Sequence, residues 1–587
     1  MNTKVIVAFF IAALWGGAFG QSSTLTRATE LRADKMASAS VVAGLAVGVP
    51  VQILSLEGGW AHVQASGKTG WVRASTLALT AGASSASTLA SGREAKGNTA
   101  LTLGVRSIAA KSLEERSNRH ALIIGISTYG DASIPKLPGA RIDRESATQM
   151  AQAMQVPASN ITYLQDEQAT AAGIRQALAA LNQRVAQGDR VFIHYSGHGT
   201  RYKDQTAGGC VEALLAYEGT TNATIPHREM ASLLAPLTSK TDKLFVMYDA
   251  CHSGGIVSHA STVRTRGFFN QNDDGALRPK FAAISEECSQ PVNMKTRNLI
   301  VEALAQQTLP QDIVHVASSR SDEISFDDEE KGGLATEFMR DCMLRDAKDL
   351  DGSGSISMAE IQQCAQAKIN TRMQGDPLYK AHNIALTGNA DFVPAWFSTP
   401  PAQAPEAAPA LTGEQVLGRL FNQRDGKRDV RVSAVKSQLK IGQDALEVQV
   451  TSNKAGYVYV AMAGSDNKSL NVLFPNDLDR NNRIEAGQTM ALPRPGWRVK
   501  SQGPEGTNQL LVMVSDGPRD LTSLSKNKAG PFMVSLNTLD GRAELGALMS
   551  RSAIGANQAC ASTSTRASNP MCSDAFGAAI IRIDEIK

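Results

Sequence analysis

A chain of 587 residues exceeds what one hydrophobic core can organise, and at roughly 100 to 200 residues per domain it divides into about three to four. Its 59 basic against 56 acidic residues leave a formal charge of +3, which argues against a nucleic-acid footprint and against a polybasic membrane anchor. Hydrophobic residues make up 42%, so ordinary cores can form and partners have to be argued from sites.

In chain order, Lys4, the apolar run VIVAFFIAALW and the small-residue end Ala18-Phe19-Gly20 read as a signal peptide over residues 1–20. The run is too short to span a bilayer permanently, and no other stretch reaches about 18 apolar residues. The mature chain is therefore expected to be periplasmic or secreted and not transmembrane. Residues 21–79 follow as short alternating segments, VPVQILSL, WAHVQA and TGWVRAS, punctuated by Gly-Gly and Gly-Lys turns, the pattern of a small β-barrel. Their order resembles bacterial SH3-like domains, which implies a cell-wall or protein ligand. Trp60 and Trp71 have two readings there, core packing or a surface for stacking a ligand. Residues 80–118, with AGASSASTLASGREAKGN, form a flexible linker, and residues 397–413, rich in Pro and Ala, a stiffer one.

Between the linkers, residues 119–396 carry HALIIGIS, NITYL, RVFIHYS, KLFVMYDA and DIVHVASS. These runs are continuously apolar rather than alternating, as in strands covered on both faces. RIDRESATQMAQAMQV and AAGIRQALAALNQRVAQ have helical periodicity between them, so the order predicts a mostly parallel sheet with helices on both sides. In such sheets sites form at the carboxyl ends of strands. RVFIHYS runs into GHG and KLFVMYDA into CHSGG, each at such an end.

If those strands are neighbours, His198 faces Cys251. An imidazole beside a thiol favours the thiolate, which can attack a carbonyl while the imidazolium protonates the leaving amine. Two plainer readings remain at this point: a small buried cysteine with a turn histidine, or a metal site including His252, although no zinc-type spacing accompanies it. YSGHGT followed by DACHSGG, with 53 positions from His198 to Cys251, resembles the caspase and metacaspase superfamily of cysteine peptidases, in its metacaspase-like form. HALIIGISTY, LPGARIDRESA, YLQDEQAT and ASSRSDEISFD extend the likeness over residues 119–390. The resemblance implies a caspase-like three-layer αβα sandwich and a Cys-His endopeptidase acting on protein or peptide substrates. It further implies an oxyanion hole from the backbone N–H groups of Gly199 and Cys251, and an Arg/Lys-selective pocket built by Asp143, Ser196 and Asp249. At Asp143 the likeness is looser, and a solvated first-turn helix position is the alternative. His194 reads as core.

DLDGSGSISMAE, residues 349–360, fits the twelve-residue EF-hand loop. Asp349, Asp351, Ser353, the Ser355 carbonyl and Glu360 are the candidate calcium ligands, and a helix-turn-helix that merely keeps this turn chemistry is the alternative. Residues 327–330 offer a second acidic site. The polar insertion 258–311 carries Arg264, Arg266, Arg278, Lys280, Lys295 and Arg297; it is either ordinary surface or a segment cut by the protein's own specificity to release a blocked site. Seven cysteines in an oxidising compartment leave one unpaired. Cys251 is that one, with Cys560–Cys572, Cys342–Cys364 and Cys210–Cys288 as the pairs. Residues 414–587 open with an amphipathic helix (QVLGRLF) and turn mostly β; they resemble an uncharacterised domain found behind bacterial caspase-like modules. A binding scaffold with a degenerate core is the competing function.

Overall fold

A computed structural model describes residues 21–25, 28–35, 39–57, 60–73, 76–77, 113–204, 209–250, 277–282, 288, 312–319, 323, 325–374, 382–396, 411–522, 524, 528–554 and 570–587. The expected signal peptide, both linkers beyond those bounds, Cys251, His252 and Cys560 lie outside them. Among the described residues no helix is long and apolar enough to cross a membrane.

The chain divides into two units, Met1–Leu101 and Thr102–Lys587. In the first, β1 (Gln21–Thr24), β2 (Thr29–Arg32), β3 (Val41–Leu45), β4 (Pro50–Glu57), β5 (Trp60–Ala65) and β6 (Lys68–Arg73) form one sheet in the order β1-β4-β5-β6-β2-β3. Ser66 and Gly67, both with positive φ, make the two-residue turn between β5 and β6, the conformation whose twist suits a tight hairpin. Leu31, Ile53, Ala61, Val63 and Val72 are buried at its centre. Trp60 is buried. Trp71 is half-buried, stacked on the His62 ring at 4.8 Å.

The second unit is built on β7 (Arg119–Gly125), β8 (Ile161–Gln165), β9 (Arg190–Ser196), and, after the short strands β10 (Gly199–Asp204), β11 (Gly209–Leu215) and β12 (Thr224–Pro226), on β13 (Lys243–Asp249). After β14 (Arg278–Pro279) come β15 (Ile313–Ala317), β16 (Phe326–Asp328), β17 (Gly332–Gly333) and β18 (Ala385–Gly388). The main sheet has the order β18-β15-β13-β9-β7-β8, parallel except for β18. β7 and β13 are buried at every position, which is why their sequences show no alternation.

Helices cover both faces. Leu122, Ile124, Ile193 and Val246 pack with α2 (Ala171–Arg184) and α3 (His227–Thr238). The alternate residues Ala121, Ile123, Phe192, Phe245 and Met247 pack with α1 (Ala140–Ala153), α4 (Leu334–Asp341) and α5 (Met358–Met373). The result is the expected three-layer sandwich.

The remainder begins with α6 (Gly413–Asn422) and forms an eight-stranded sheet around the long antiparallel pair Gly506–Ser515 and Phe576–Ile586, with α7 (Leu539–Ser550) beside it. Buried charge joins it to the sandwich: the Asp574 carboxylate takes Arg116 at 2.7 Å and also pairs with Arg119. Lys427 reaches Asp312 at 2.8 Å. Disulfides link Cys210 to Cys288 and Cys342 to Cys364, as expected; Cys572 is disulfide-bonded too.

Candidate active site

The parallel pairing of β9 with β13 sets Ser196 opposite Asp249, so Gly197-His198-Gly199 and Ala250 leave adjacent strand ends. His198 is fully buried. Its backbone N–H donates to the Tyr129 hydroxyl at 2.7 Å, and its Nε2 lies 2.8 Å from the Pro135 carbonyl. A carbonyl can only accept, so Nε2 carries the proton and Nδ1 is the free base. Nδ1 has no hydrogen-bond partner among the described residues. Burial pushes the ring down to about 4, against the two backbone carbonyls of Pro135 and Lys280 that favour its charged form. Neutral and tautomerically fixed, it is prepared to take a proton. A side chain at position 197 would strike the Tyr195 and Tyr129 hydroxyls, which is why glycine precedes the histidine.

Asp143, Ser196 and Asp249 do converge. Ser196 Oγ donates to Asp143 Oδ2 at 2.6 Å, and both aspartates are fully buried. Asp143 is therefore not a solvated helix residue. Thr336 Oγ1 donates to Asp249 Oδ2 at 2.6 Å, and the Gly333 N–H donates to Asp143 Oδ1 at 2.8 Å.

The pocket these acids line is filled by the protein's own Lys280. Its Nζ lies 2.8 Å from Asp143, 3.1 Å from Asp249, 3.7 Å from Asp327 and 2.9 Å from Ser196 Oγ, and its side chain is fully buried. The carboxylates outweigh burial and hold the ammonium above its ordinary value. Burial raises Asp143 and pushes Asp327 up to about 7, while Lys280 and Thr336 outweigh burial at Asp249 and hold it below the usual range. Three acids crowded around one cation thus favour the protonated form at Asp143 and Asp327 and the charged form at Asp249.

The Lys280 backbone is held as well. β14 pairs antiparallel with β16, Arg278 opposite Asp327, and the Lys280 N–H donates to the Ser325 carbonyl at 2.9 Å. The Gly199 N–H, an expected oxyanion donor, donates to the Lys280 carbonyl at 2.9 Å. Beyond it, Phe281 bridges Gly199 in parallel and Ala282 N–H donates to the Gly199 carbonyl at 3.0 Å. Residues 278–282 therefore run from β14 along the start of β10, with the Lys280 carbonyl on the N–H expected as an oxyanion donor.

Three contributors escaped the sequence reading. Asp327 was expected at a second calcium site, and the structure corrects this: it turns inward to Gly139 N–H at 2.9 Å and the pocket, while Asp328 and Glu329 pair with Arg372 and Arg278. Thr336 anchors Asp249. Gly333 is a glycine because any side chain there would overlap Asp249 and Lys280; the doublet in KGGLATEF was the available signal. His194 is core, its Nε2 3.0 Å from Thr336 Oγ1. Cys251 lies outside the described residues.

The EF-hand-like loop brings one oxygen each of Asp349, Asp351 and Glu360 within 4.8 Å of one another. Gly354 has φ +82°, and Ser353 Oγ donates to the Ser355 carbonyl at 3.1 Å. Hard oxygen donors around a sharp glycine turn suit calcium. Burial and the neighbouring Asp351 raise Asp349, the mark of carboxylates crowded together. The C-terminal part meets this loop: Arg419 pairs with Asp351 at 2.5 Å and Arg542 Nε donates to the Gly352 carbonyl at 2.5 Å.

Comparison with known proteins bears on this geometry. Residues 118–387 match the caspase domain family model, residues 27–78 the bacterial SH3 domain, and residues 438–518 a domain of unknown function (DUF4384). Metacaspase-6 of Arabidopsis thaliana is 26% identical over 209 residues, covering 33% of this chain and 54% of the relative. Metacaspase-1 of Eremothecium gossypii is 27% identical over 178 residues, covering 29% and 39%. The chain thus spans about half or less of the length of these relatives. Among solved structures, caspase-1 from Spodoptera frugiperda is 11% identical, with a TM-score of 0.30 over 48% of this chain and 92% of the other. The chain carries a caspase domain between a bacterial SH3 domain and a β-rich C-terminal domain.

Proposed function

We propose that this caspase-domain chain is a periplasmic or secreted cysteine endopeptidase that cuts after Lys or Arg, and that its first substrate is its own Lys280–Phe281 bond. The observation that carries the reading is Lys280 itself, ammonium among Asp143, Asp249 and Asp327 and carbonyl on the Gly199 N–H. An enzyme selective for basic residues places its substrate in this way.

His198 Nδ1 takes the Cys251 proton, and the thiolate attacks the Lys280 carbonyl carbon. The Gly199 and Cys251 N–H groups stabilise the oxyanion. As the C–N bond breaks, the imidazolium returns the proton to the Phe281 amine, leaving an acyl-enzyme that water hydrolyses with His198 as base. Cutting frees Lys280 from its covalent neighbour, so that it can leave the pocket to an incoming Lys or Arg.

Calcium is part of the proposal. Asp349, Asp351, Ser353, the Ser355 carbonyl and Glu360 would hold it, supplying the charge that the crowded carboxylates lack. The SH3 domain is assigned a cell-wall or protein ligand, and the signal sequence the exit from the cytoplasm.

Fluorogenic peptides ending in Arg, Lys or Asp test the specificity, with and without calcium. Cleavage of the basic peptides alone, lost in Cys251→Ala, is expected; cleavage of the Asp peptide, or activity surviving Cys251→Ala, sinks it.

A further inference from the structure

We propose that the site has a second specificity element on the far side of the cut: the start of β10 binds the second residue after the scissile bond and admits only a small side chain there. The inference rests on reading residues 278–282 as the bound self-substrate. It concerns what happens after the cleaved bond, where the acidic pocket has no influence.

Strand β10 is the inner edge of a three-stranded sheet, β10-β11-β12, in which Gly199 pairs with Leu214 and Thr200 with Ala213. Residues 281–282 join its other side in parallel. Gly199 uses both backbone groups, donating to the Lys280 carbonyl at 2.9 Å and accepting from the Ala282 N–H at 3.0 Å. Thr200 then reaches across with its side chain, Oγ1 donating to the Ala282 carbonyl at 2.7 Å. Thr200 is fully buried. The peptide is therefore gripped at Lys280 and at Ala282 by groups that read only backbone, a form of strand addition that fixes register without selecting sequence.

Selection comes from where the side chains point. Phe281 is half-buried, so the first residue after the cut is weakly constrained. Ala282 is 2% exposed, and its methyl belongs to the same buried cluster as Tyr195, Leu214 and Tyr248 under the strand ends. That cluster is close-packed, and a larger side chain held there by the Gly199 and Thr200 hydrogen bonds must displace it. Substrates are thus peptides with Lys or Arg before the cut and Ala, Gly or Ser two positions after it. Thr200 is a positioning residue for this selection.

Internally quenched peptides that keep Lys before the cut and vary the second residue after it among Ala, Ser, Leu and Trp test the proposal on the processed full-length enzyme. We expect the Leu and Trp peptides to fall about 10- to 100-fold in kcat/KM, the range set by misfit groups in an apolar pocket. Thr200→Val should raise KM for the Ala peptide with kcat little changed, and Thr200→Ser should restore it. Equal cleavage of all four peptides overturns the inference and leaves the Lys/Arg reading standing. Failure to cut even the Ala peptide removes the Lys/Arg reading instead, and this inference with it.

Discussion

An ammonium fully buried among three carboxylates is costly to assemble unless every partner is placed, because desolvation of each charge must be offset by close pairing. Around Lys280 that placement comes from distant stretches: Asp143 from α1, Asp249 from β13 and Asp327 from β16. Asp249 and Ser196 were legible because they sit two positions before Cys251 and His198. Asp327 was not, since nothing local marks a carboxylate that a chain reversal turns inward. Lys280 was one of six basic residues in an insertion, and no local pattern singled it out. Replacing Asp249 with Asn should lower kcat/KM for Lys and Arg peptides by about 30-fold or more, the loss that follows when one partner of a buried charge pair is truncated; steady-state kinetics checks it. His198 gives a second prediction at this scale. A proton acceptor must be neutral, and burial moves this ring from 6.5 to about 4. It therefore stays neutral as pH falls through 6.5 and charges only near 4. The rate of self-cleavage in a single turnover should keep its plateau down to about pH 5, and an acid limb centred near 6.5 would show that the ring is not held as described.

At the scale of elements, the strand-end rule explains why a parallel sheet could be converted into a site from sequence: β9 and β13 are adjacent and in register, so Ser196 and Asp249 end side by side. The short strands β14, β16 and β17, of two or three residues, were illegible because so short a run carries no periodicity. β16 pairs with β14, the strand that leads into the pocket, and β17 pairs with β16 in turn. The Cys210–Cys288 disulfide spans the cut site, joining β11 before it to the chain after Phe281. A chain cut after Lys280 should therefore remain one species on a non-reducing gel and separate into two pieces only after reduction. The EF-hand-like loop was legible from its spacing, but not its meeting with Arg419, which pairs with Asp351 at 2.5 Å. Because Arg419 and a cation would draw on the same carboxylate, Arg419→Gln should tighten calcium several-fold while Glu360→Gln abolishes binding, as read by titration calorimetry on the full chain.

For the whole molecule, the buried Asp574 carboxylate is one of the ties between the C-terminal domain and the sandwich, beside Lys427–Asp312 and Arg419–Asp351. Burial alone would raise Asp574, but Arg116, Arg119, Arg190 and Arg519 outweigh it and hold the group far below the carboxylate range. A depressed folded value means that this stabilisation is in full force above about pH 4 and fails only as pH falls further. Asp574→Asn leaves several buried guanidinium groups uncompensated and should cost about 3–5 kcal/mol in denaturant unfolding. The linker compositions announced separate domains, yet the Asp574 pairs that help join two of them link residues more than 400 positions apart, beyond the reach of any local pattern. The central claim, that Lys280 is the enzyme's own first substrate, is tested most directly by intact-protein mass spectrometry of the purified chain after incubation with calcium. The account predicts a single break with Phe281 as the new N-terminus, absent in Cys251→Ala and in Lys280→Ala. A break elsewhere in the insertion, or one after Lys280 that persists in Cys251→Ala, would contradict it.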